Sequence, residues 1–203
     1  MIAEAGHFAL TLALFVSIVQ ATIPMIGAQR GSALWMAMDR PSAISQFLLI
    51  AFSFGCLTYS HVVSDFSVLN VAQNSHSLKP MLYKVSGVWG SHEGSLLLWV
   101  LIMSAFGSAV AFFGGNLPPT LRARVLGVQA LVGVGFYLFM LLTSNPFERL
   151  FPAAADGRDM NPLLQDPGLA LHPPFLYFGY VGFSMAFSFA IAALIEGRVD
   201  AAW

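Results

Sequence analysis

Five uncharged apolar runs constrain the fold of this chain more than any other feature. They cover residues 8–28, 44–63, 95–113, 125–143 and 175–195, and none contains a Lys, Arg, Asp or Glu. A bilayer core of about 30 Å is crossed by about 20 apolar residues in an α-helix, and each charge at its centre costs about 2.5–3.5 kcal/mol. Because backbone groups in lipid must bond to one another, the runs predict helices. We expect an all-α, multi-pass helix bundle that forms one membrane domain over residues 1–203.

The composition agrees with a membrane protein and excludes other classes. Of the 203 residues, 57% are hydrophobic and only 9% are charged, whereas about a quarter of the residues in soluble domains are charged. The net charge of -1 offers no basic field for nucleic acid, whose binding needs clustered Lys and Arg. Cys56 is the one cysteine, so the sequence contains no disulfide pair, zinc motif or CxxCH haem-attachment motif.

The distribution of basic residues predicts the orientation. The short connections and the tail hold Arg30, Arg40, Arg122, Arg124 and Arg198. The two long loops, residues 64–94 and 144–174, hold the other four basic residues more sparsely. Basic residues are concentrated on the cytoplasmic side of membrane proteins. We therefore expect the amino terminus and both long, irregular loops outside and the carboxy terminus in the cytoplasm. Glu4, with no Lys or Arg before the first run, argues against a cleavable signal peptide.

His172 is the first candidate for chemistry, because it directly precedes Pro173 and Pro174 at the predicted outer surface of the membrane. Pro174 suits the first position of the fifth helix, where a missing N–H costs nothing. An imidazole held there suits axial ligation of haem iron, and the aromatic residues that follow, Tyr177 among them, can lie against a porphyrin. An interfacial histidine bonded to a loop carbonyl fits the same spacing and is the commoner case.

The stretch WGSHEGSLLLW, from Trp89 to Trp99, marks the entry of the first long loop into the third span. Tryptophan is frequent at membrane surfaces because its ring is apolar and its N–H is polar. Glu93 is expected near a helix amino terminus as a capping group. For His92, a proton relay, a haem-facing group and a structural bond remain open. Three other histidines lack neighbours in the sequence that suggest a site: His7, His61 and His76.

Several longer segments resemble a known family. They are GAQRG (27–31), SDFSVLNVAQNS (64–75), VWGSHEGSLLLWVLI (88–102), TSNPFERL (143–150), GRDMNPLLQDPGLALHPPFLYFGYVGFS (157–184) and GRVDAAW (197–203). In this order they closely resemble the amino-terminal part of the CcmF-type cytochrome c haem lyases, a family that includes the related subunit for nitrite reductase maturation. The resemblance covers nearly the whole chain.

The resemblance implies a function in the cytoplasmic (inner) membrane of bacteria. Such proteins receive haem b as a substrate from a periplasmic haem chaperone. They attach its vinyl groups to the CxxCH cysteines of apocytochrome c, which a thiol-handling partner prepares. In the family, the histidine of the HPP motif is one of two outward-facing axial ligands of that haem, and here it is His172. Trp89, His92 and Tyr177 are further candidate haem-binding residues, and no catalytic residue is assigned.

The sequence departs from the family beyond Trp203. Family members continue with further spans, a tryptophan-rich WWD segment, the second outer histidine and histidines that hold a resident b-type haem. We therefore expect the remaining carboxy-terminal haem lyase portion as a partner, and weak haem binding by this chain alone. Two alternatives remain: a membrane scaffold that docks partners through its long loops, and a proton or small-molecule transport subunit. The transport path would use His92, Glu93 and the glutamines Gln20, Gln46 and Gln129, but no run holds the mid-membrane charge that would support it.

Overall fold

A computed structural model of the chain describes residues 1–197, so Arg198 and most of the GRVDAAW segment lie outside the described residues. The helices are α1 (Ile2–Arg30), α2 (Ala33–Met36), α3 (Asp39–Val62), α4 (Leu69–Asn74), α5 (Met81–Ser86), α6 (His92–Phe113), α7 (Pro119–Thr143) and α8 (Pro167–Glu196), with 3-10 turns at Gly114–Asn116 and Pro162–Leu164. Within residues 1–197, five helical segments are long and apolar enough to cross a membrane: α1, α2 with α3, α6, α7 and α8. The predicted five-span, all-α architecture is confirmed.

The spanning helices extend beyond the apolar runs that predicted them, because caps and prolines rather than hydropathy set their ends. α6 begins at His92, before residue 95, since the Ser91 hydroxyl accepts a hydrogen bond from the Gly94 amide at 3.0 Å. α7 begins at Pro119, where a residue without an N–H is tolerated. α1 continues to Gly31, whose φ of 68° ends it in the left-handed conformation.

The helices form a bundle in which α7 packs against each of the other four spans and α8 lies at the edge. α1 packs along α3 and α7, α3 also packs on α6, and α8 lies against α6 and α7. The core between them contains Leu10, Ile50, Leu97 and Tyr137, all fully buried. α8 is the least buried of the five spans, and its side away from the bundle is exposed and aromatic, with Phe175, Phe178, Phe183 and Phe187.

Polar side chains inside the spans bond to the backbone of neighbouring helices. Ser17 Oγ and Gln20 Nε2 donate to carbonyls of α7 at 2.8 and 3.1 Å, and Gln129 Nε2 donates to the Met103 carbonyl of α6 at 2.7 Å. Hydrogen bonds of this kind contribute on average about 0.6 kcal/mol each in a membrane. Two of the three glutamines considered for a transport path are therefore used in helix packing.

The two long loops lie at one end of the bundle, which we call the long-loop end, and they are more ordered than predicted. The first contains α4 and α5, and residues 167–174 of the second belong to α8. The loops also pair with each other: the Leu69 amide donates to the Glu148 carbonyl at 2.8 Å, and the Leu150 amide donates to the Ser67 carbonyl at 2.9 Å. Because their backbone donors and acceptors are paired, the loops form one layer over the helix ends.

A buried ion pair joins α3 to α7 at the opposite end of the bundle. Asp39 is fully buried, and Arg122 Nε donates to its Oδ2 at 2.7 Å. The Arg40 amide donates to the other carboxylate oxygen at 2.6 Å. Removing one partner of a buried pair leaves the other charge without compensation.

We expect Asp39→Ala to lower the free energy of unfolding by about 3–5 kcal/mol, because the Arg122 guanidinium then stays buried without its carboxylate. SDS titration in detergent micelles, followed by helical circular dichroism, measures the change. Arg40→Ala is the matched control, since that side chain is exposed and takes part in no ion pair within residues 1–197. An equal loss in both variants would contradict the importance of the pair.

Candidate functional site

A pocket of about 390 Å³ lies at the long-loop end, between the first turns of α6 and α8. Its lining is mostly apolar and includes Trp89, His92, Ser95, Met160 and Tyr177. Its volume is near the lower end of the range of small-molecule sites, about 300–1,000 Å³. Three of the four residues singled out from the sequence, Trp89, His92 and Tyr177, therefore come together in one place.

The WGSHEG segment forms a tight junction between the first loop and α6. The Ser91 hydroxyl accepts from the Gly94 amide and donates to the Val88 carbonyl, both at 3.0 Å. A Cβ on Gly94 would lie 1.8 Å from that same carbonyl oxygen, so only glycine fits this position. The junction fixes Trp89 and His92 at the mouth of the pocket.

Asn70 connects this junction to α3, which the sequence did not predict. Its Oδ1 lies 2.9 Å from His61 Nε2, and its Nδ2 donates to Ser91 Oγ at 2.8 Å and to Glu93 Oε2 at 3.2 Å. His61 is fully buried and holds Asn70 through this hydrogen bond, so its role here is structural. Glu93 lies in the first turn of α6 as expected, but Ser91 is the capping residue and the Glu93 carboxylate bonds to Asn70.

α8 begins earlier than the sequence indicated. Pro167, not Pro174, is the first helical residue, and the Asp166 side chain caps the helix by accepting from the Leu169 amide at 3.1 Å. Pro173 and Pro174 consequently lie inside the helix. The prediction that Pro174 opens the fifth span is wrong, because the proline that is tolerated at the first helical position, Pro167, occurs about two turns before it.

His172 lies on an exposed face of α8 and outside the pocket. Leu169, Ala170, Pro173 and Tyr177 of α8 line the pocket, and at 100° per residue His172 points to one side of them. Its side chain is exposed and makes no hydrogen bond or ion pair with a group within residues 1–197. His172 therefore lies outside the pocket that Trp89, His92 and Tyr177 line, although all four residues lie near the beginnings of α6 and α8, which are adjacent.

His92 is partly tied to the second loop. Its Nδ1 lies 3.2 Å from Ser144 Oγ, and its ring meets Phe139 edge-on with the ring centres 6.3 Å apart. The residue itself remains exposed. Within residues 1–197 no three His, Cys, Asp or Glu side chains are close enough to hold a metal ion. A haem iron could therefore be bound by these residues only through one histidine at a time.

Residues 156–165 of the second loop, which we call the cover segment, lie over the pocket and contribute Met160 and Leu164 to its lining. The Lys79 ammonium, almost fully buried, bonds to Asp159 Oδ1 at 2.5 Å and to the Asn74 carbonyl at 3.0 Å. Ser77 donates to Asp156 from its hydroxyl at 2.6 Å and from its amide at 3.0 Å. The first loop therefore anchors the cover segment at two carboxylates.

The anchoring bonds favour the ionised carboxylates. The Ser77 hydroxyl and amide lower the pKa of Asp156 to about 2. For Asp159, burial is the largest single effect and opposes ionisation, but the hydrogen bonds from Lys79, the Met160 amide and Gln165, together with the charge of Lys79, outweigh it and lower the pKa. A carboxyl whose pKa is lowered on folding stabilises the fold above its unfolded pKa of about 4, and the contribution is lost as the pH falls through the folded pKa.

Comparison with known proteins gives one consistent family. The model of the family described as cytochrome C assembly protein matches residues 89–201. The chain is 68% identical over 203 residues to the cytochrome c-type biogenesis protein ccl1 of Rhodobacter capsulatus, covering 100% of this chain and 31% of that protein. It is 61% identical to the cytochrome c-type biogenesis protein CycK of Rhizobium meliloti, covering 100% of this chain and 30% of the relative.

A solved structure shares the fold. The cytochrome c heme lyase CcmF superposes with a TM-score of 0.85 at 26% sequence identity, over 98% of this chain and 31% of that one. The chain therefore spans about a third of the length of the relatives it matches.

We expect the cover segment to loosen between about pH 4 and pH 2, as protonation of Asp156 and Asp159 removes its two carboxylate anchors and leaves only the backbone hydrogen bonds from Arg158 and Asp159 to the first loop. Pepsin, which is active in this range, measures the change as cleavage near Leu163 and Leu164, normalised to cleavage of an unstructured peptide. Asp159→Asn is expected to be cleaved already at pH 4, whereas Glu148→Gln, an exposed residue of the same loop, is expected to match the wild type. Constant cleavage over the whole range would refute the anchoring.

Proposed function

This chain belongs to the cytochrome c assembly protein family, and on that premise we propose that it is a membrane subunit of a haem lyase that matures c-type cytochromes. The family match covers residues 89–201, which include the WGSHEG junction, the pocket, the cover segment and the HPP motif. In this proposal the long-loop end receives haem, and the opposite end only holds the bundle together.

The observation that carries the proposal is the exposed imidazole of His172 beside an apolar, aromatic helix face. Residues three and four positions away share a helix face, so Phe175 and Leu176, which are 77% and 40% exposed, lie next to His172. An imidazole with no bonding partner among residues 1–197 is free to bind iron through a ring nitrogen. The neighbouring apolar side chains suit contact with a flat porphyrin.

Two pocket residues, Trp89 and Tyr177, join the start of α6 to the part of α8 that carries His172. The Trp89 indole donates to the Ala170 carbonyl, and the Tyr177 hydroxyl donates to Ser95 Oγ at 3.2 Å. Because their polar atoms are used within the protein, we assign direct ligation to His172 and indirect roles to Trp89 and Tyr177. His92, which is exposed at the pocket, is the remaining candidate for contact with haem.

The proposed substrate is haem b, whose vinyl groups are free to react with cysteine thiols. One imidazole leaves the second axial position of the iron open, and in this proposal the second ligand comes from outside residues 1–197. We propose that the remaining carboxy-terminal haem lyase portion supplies it, since the relatives are about three times as long as this chain. A periplasmic haem chaperone would deliver the haem, and apocytochrome c with its thiol-handling partner would receive it.

We place the chain in the cytoplasmic (inner) membrane with its amino terminus and long-loop end in the periplasm. Five helices suited to crossing a membrane put the two ends of the bundle on opposite sides. The long-loop end carries His172, and c-type cytochromes of the proposed pathway are completed on the periplasmic side. The basic connections around Arg30, Arg40, Arg122 and Arg124 then face the cytoplasm, as the positive-inside rule requires.

We expect His172→Ala to abolish or strongly reduce covalent cytochrome c formation when the chain is expressed with the rest of its machinery. Haem staining of the matured cytochrome and the Soret band of the purified complex measure the loss. Added imidazole should restore the Soret band if the side chain only supplies a ligand. His7→Ala, another histidine at the long-loop end, is the control, and normal maturation by His172→Ala would overturn the proposal.

The orientation is tested by cysteine labelling in intact cells. In a Cys56→Ala background, we expect Gln73→Cys to react with a membrane-impermeant maleimide added from the periplasmic side. Asn116→Cys, which is exposed at the opposite end of the bundle, should react only after the membrane is permeabilised. The reverse labelling pattern would show that the chain is inserted the other way round.

A further inference from the structure

Two prolines inside α8 leave two backbone carbonyls without their usual donors. In an α-helix the amide of each residue donates to the carbonyl four residues earlier, and proline has no N–H to donate. Pro173 and Pro174 therefore free the carbonyls of Leu169 and Ala170. Leu169 is 46% exposed, whereas Ala170 is only 4% exposed. The Ala170 carbonyl is the one that needs another donor from the protein.

The Trp89 side chain provides that donor. Its indole Nε1 donates to the Ala170 carbonyl oxygen at 2.8 Å, the length of a good N–H···O bond. Trp89 belongs to the junction before α6, whereas Ala170 lies in the first turn of α8, 81 residues later in the chain. The bond thus replaces a helical hydrogen bond with one from another part of the fold.

A second contact holds α8 on the other side of the prolines. Ser95 Oγ donates to the Trp89 carbonyl at 2.7 Å, and the Tyr177 hydroxyl donates to Ser95 Oγ at 3.2 Å. We call Trp89, Ser95 and Tyr177 the bracket. Through it, the segment before and at the start of α6 is bonded to α8 at residues 170 and 177, about two turns apart. His172 lies between these two points.

We propose that Trp89 is a positioning residue whose indole N–H replaces the hydrogen bond that Pro174 lacks, and that it thereby fixes the turn of α8 that carries His172. The consequence for haem rests on the proposed function, whereas the effect on α8 does not. A ligand must be held within a fraction of an ångström of its productive position. Without the indole N–H, the buried Ala170 carbonyl has no donor and the turn around it opens more often.

The test is a double-mutant cycle between Trp89→Phe and Pro174→Ala, made in the chain expressed with the rest of its machinery. Phenylalanine keeps the aromatic ring but removes the donor. Alanine at position 174 restores the backbone N–H to the Ala170 carbonyl. Hydrogen exchange of peptides covering residues 166–180, measured by mass spectrometry in the purified complex, reports opening of this turn whether or not haem is bound.

We expect Trp89→Phe to accelerate exchange in this segment by about tenfold, the equivalent of one lost hydrogen bond. In the Pro174→Ala background the same substitution should change exchange less than about twofold, because the carbonyl keeps its donor. Trp99→Phe is the matched control. Trp99 contacts Tyr177 with ring centres 5.9 Å apart but bonds to no carbonyl of α8 within residues 1–197, so Pro174→Ala should leave its effect unchanged.

Haem binding supplies the second readout. With the proposed function, Trp89→Phe should weaken and shift the Soret band, and Pro174→Ala should restore it in the double variant. If His172→Ala leaves haem binding intact while the exchange cycle behaves as expected, the proposed function fails and the bracket stands. Equal acceleration by Trp89→Phe in both backgrounds, or none in either, would overturn the positioning role.

Discussion

A membrane helix has to satisfy its own backbone, because lipid offers no hydrogen-bond partners. α8 departs from this rule at Pro173 and Pro174, in the part of the helix that also carries His172. The indole of Trp89 makes up for the missing donor at the buried Ala170 carbonyl. In the proposed arrangement, the position of the candidate haem ligand depends on a residue of the WGSHEG junction, which is held together by the hydrogen bonds of Ser91 to Val88 and Gly94.

The two ends of the bundle are stabilised differently. At one end, Asp39 and Arg122 form a buried ion pair at 2.7 Å. At the long-loop end, polar networks join separate loops: Asn70 bonds to His61, Ser91 and Glu93, and Lys79 anchors the cover segment. Hydrogen-bonded networks of this kind rigidify the groups they contain. The rigid layer that results surrounds the pocket and supports the start of α8.

The exposed side of α8 agrees with a chain that works together with more protein. Its outward side chains are aromatic, and His172 stands among them without a partner within residues 1–197. The relatives are about three times as long as the chain. In the proposed haem lyase, this face of α8 contributes one imidazole and an apolar wall, and the remaining portion of the machinery contributes the opposite side of the haem site.

By itself, the sequence determined the five spans. The free-energy cost of placing a residue in lipid depends on that residue alone, so it can be summed along the chain without knowing the fold. It also indicated His172, Trp89, His92 and Tyr177 as candidates, through interfacial patterning and through the resemblance of its motifs to a family. Only the tertiary structure decided that Pro174 lies inside α8, that Asn70 joins His61 to the junction, and that Trp89 bonds to Ala170. Those contacts connect residues that are far apart in the chain, and no local pattern of apolar and polar residues specifies the distance between them.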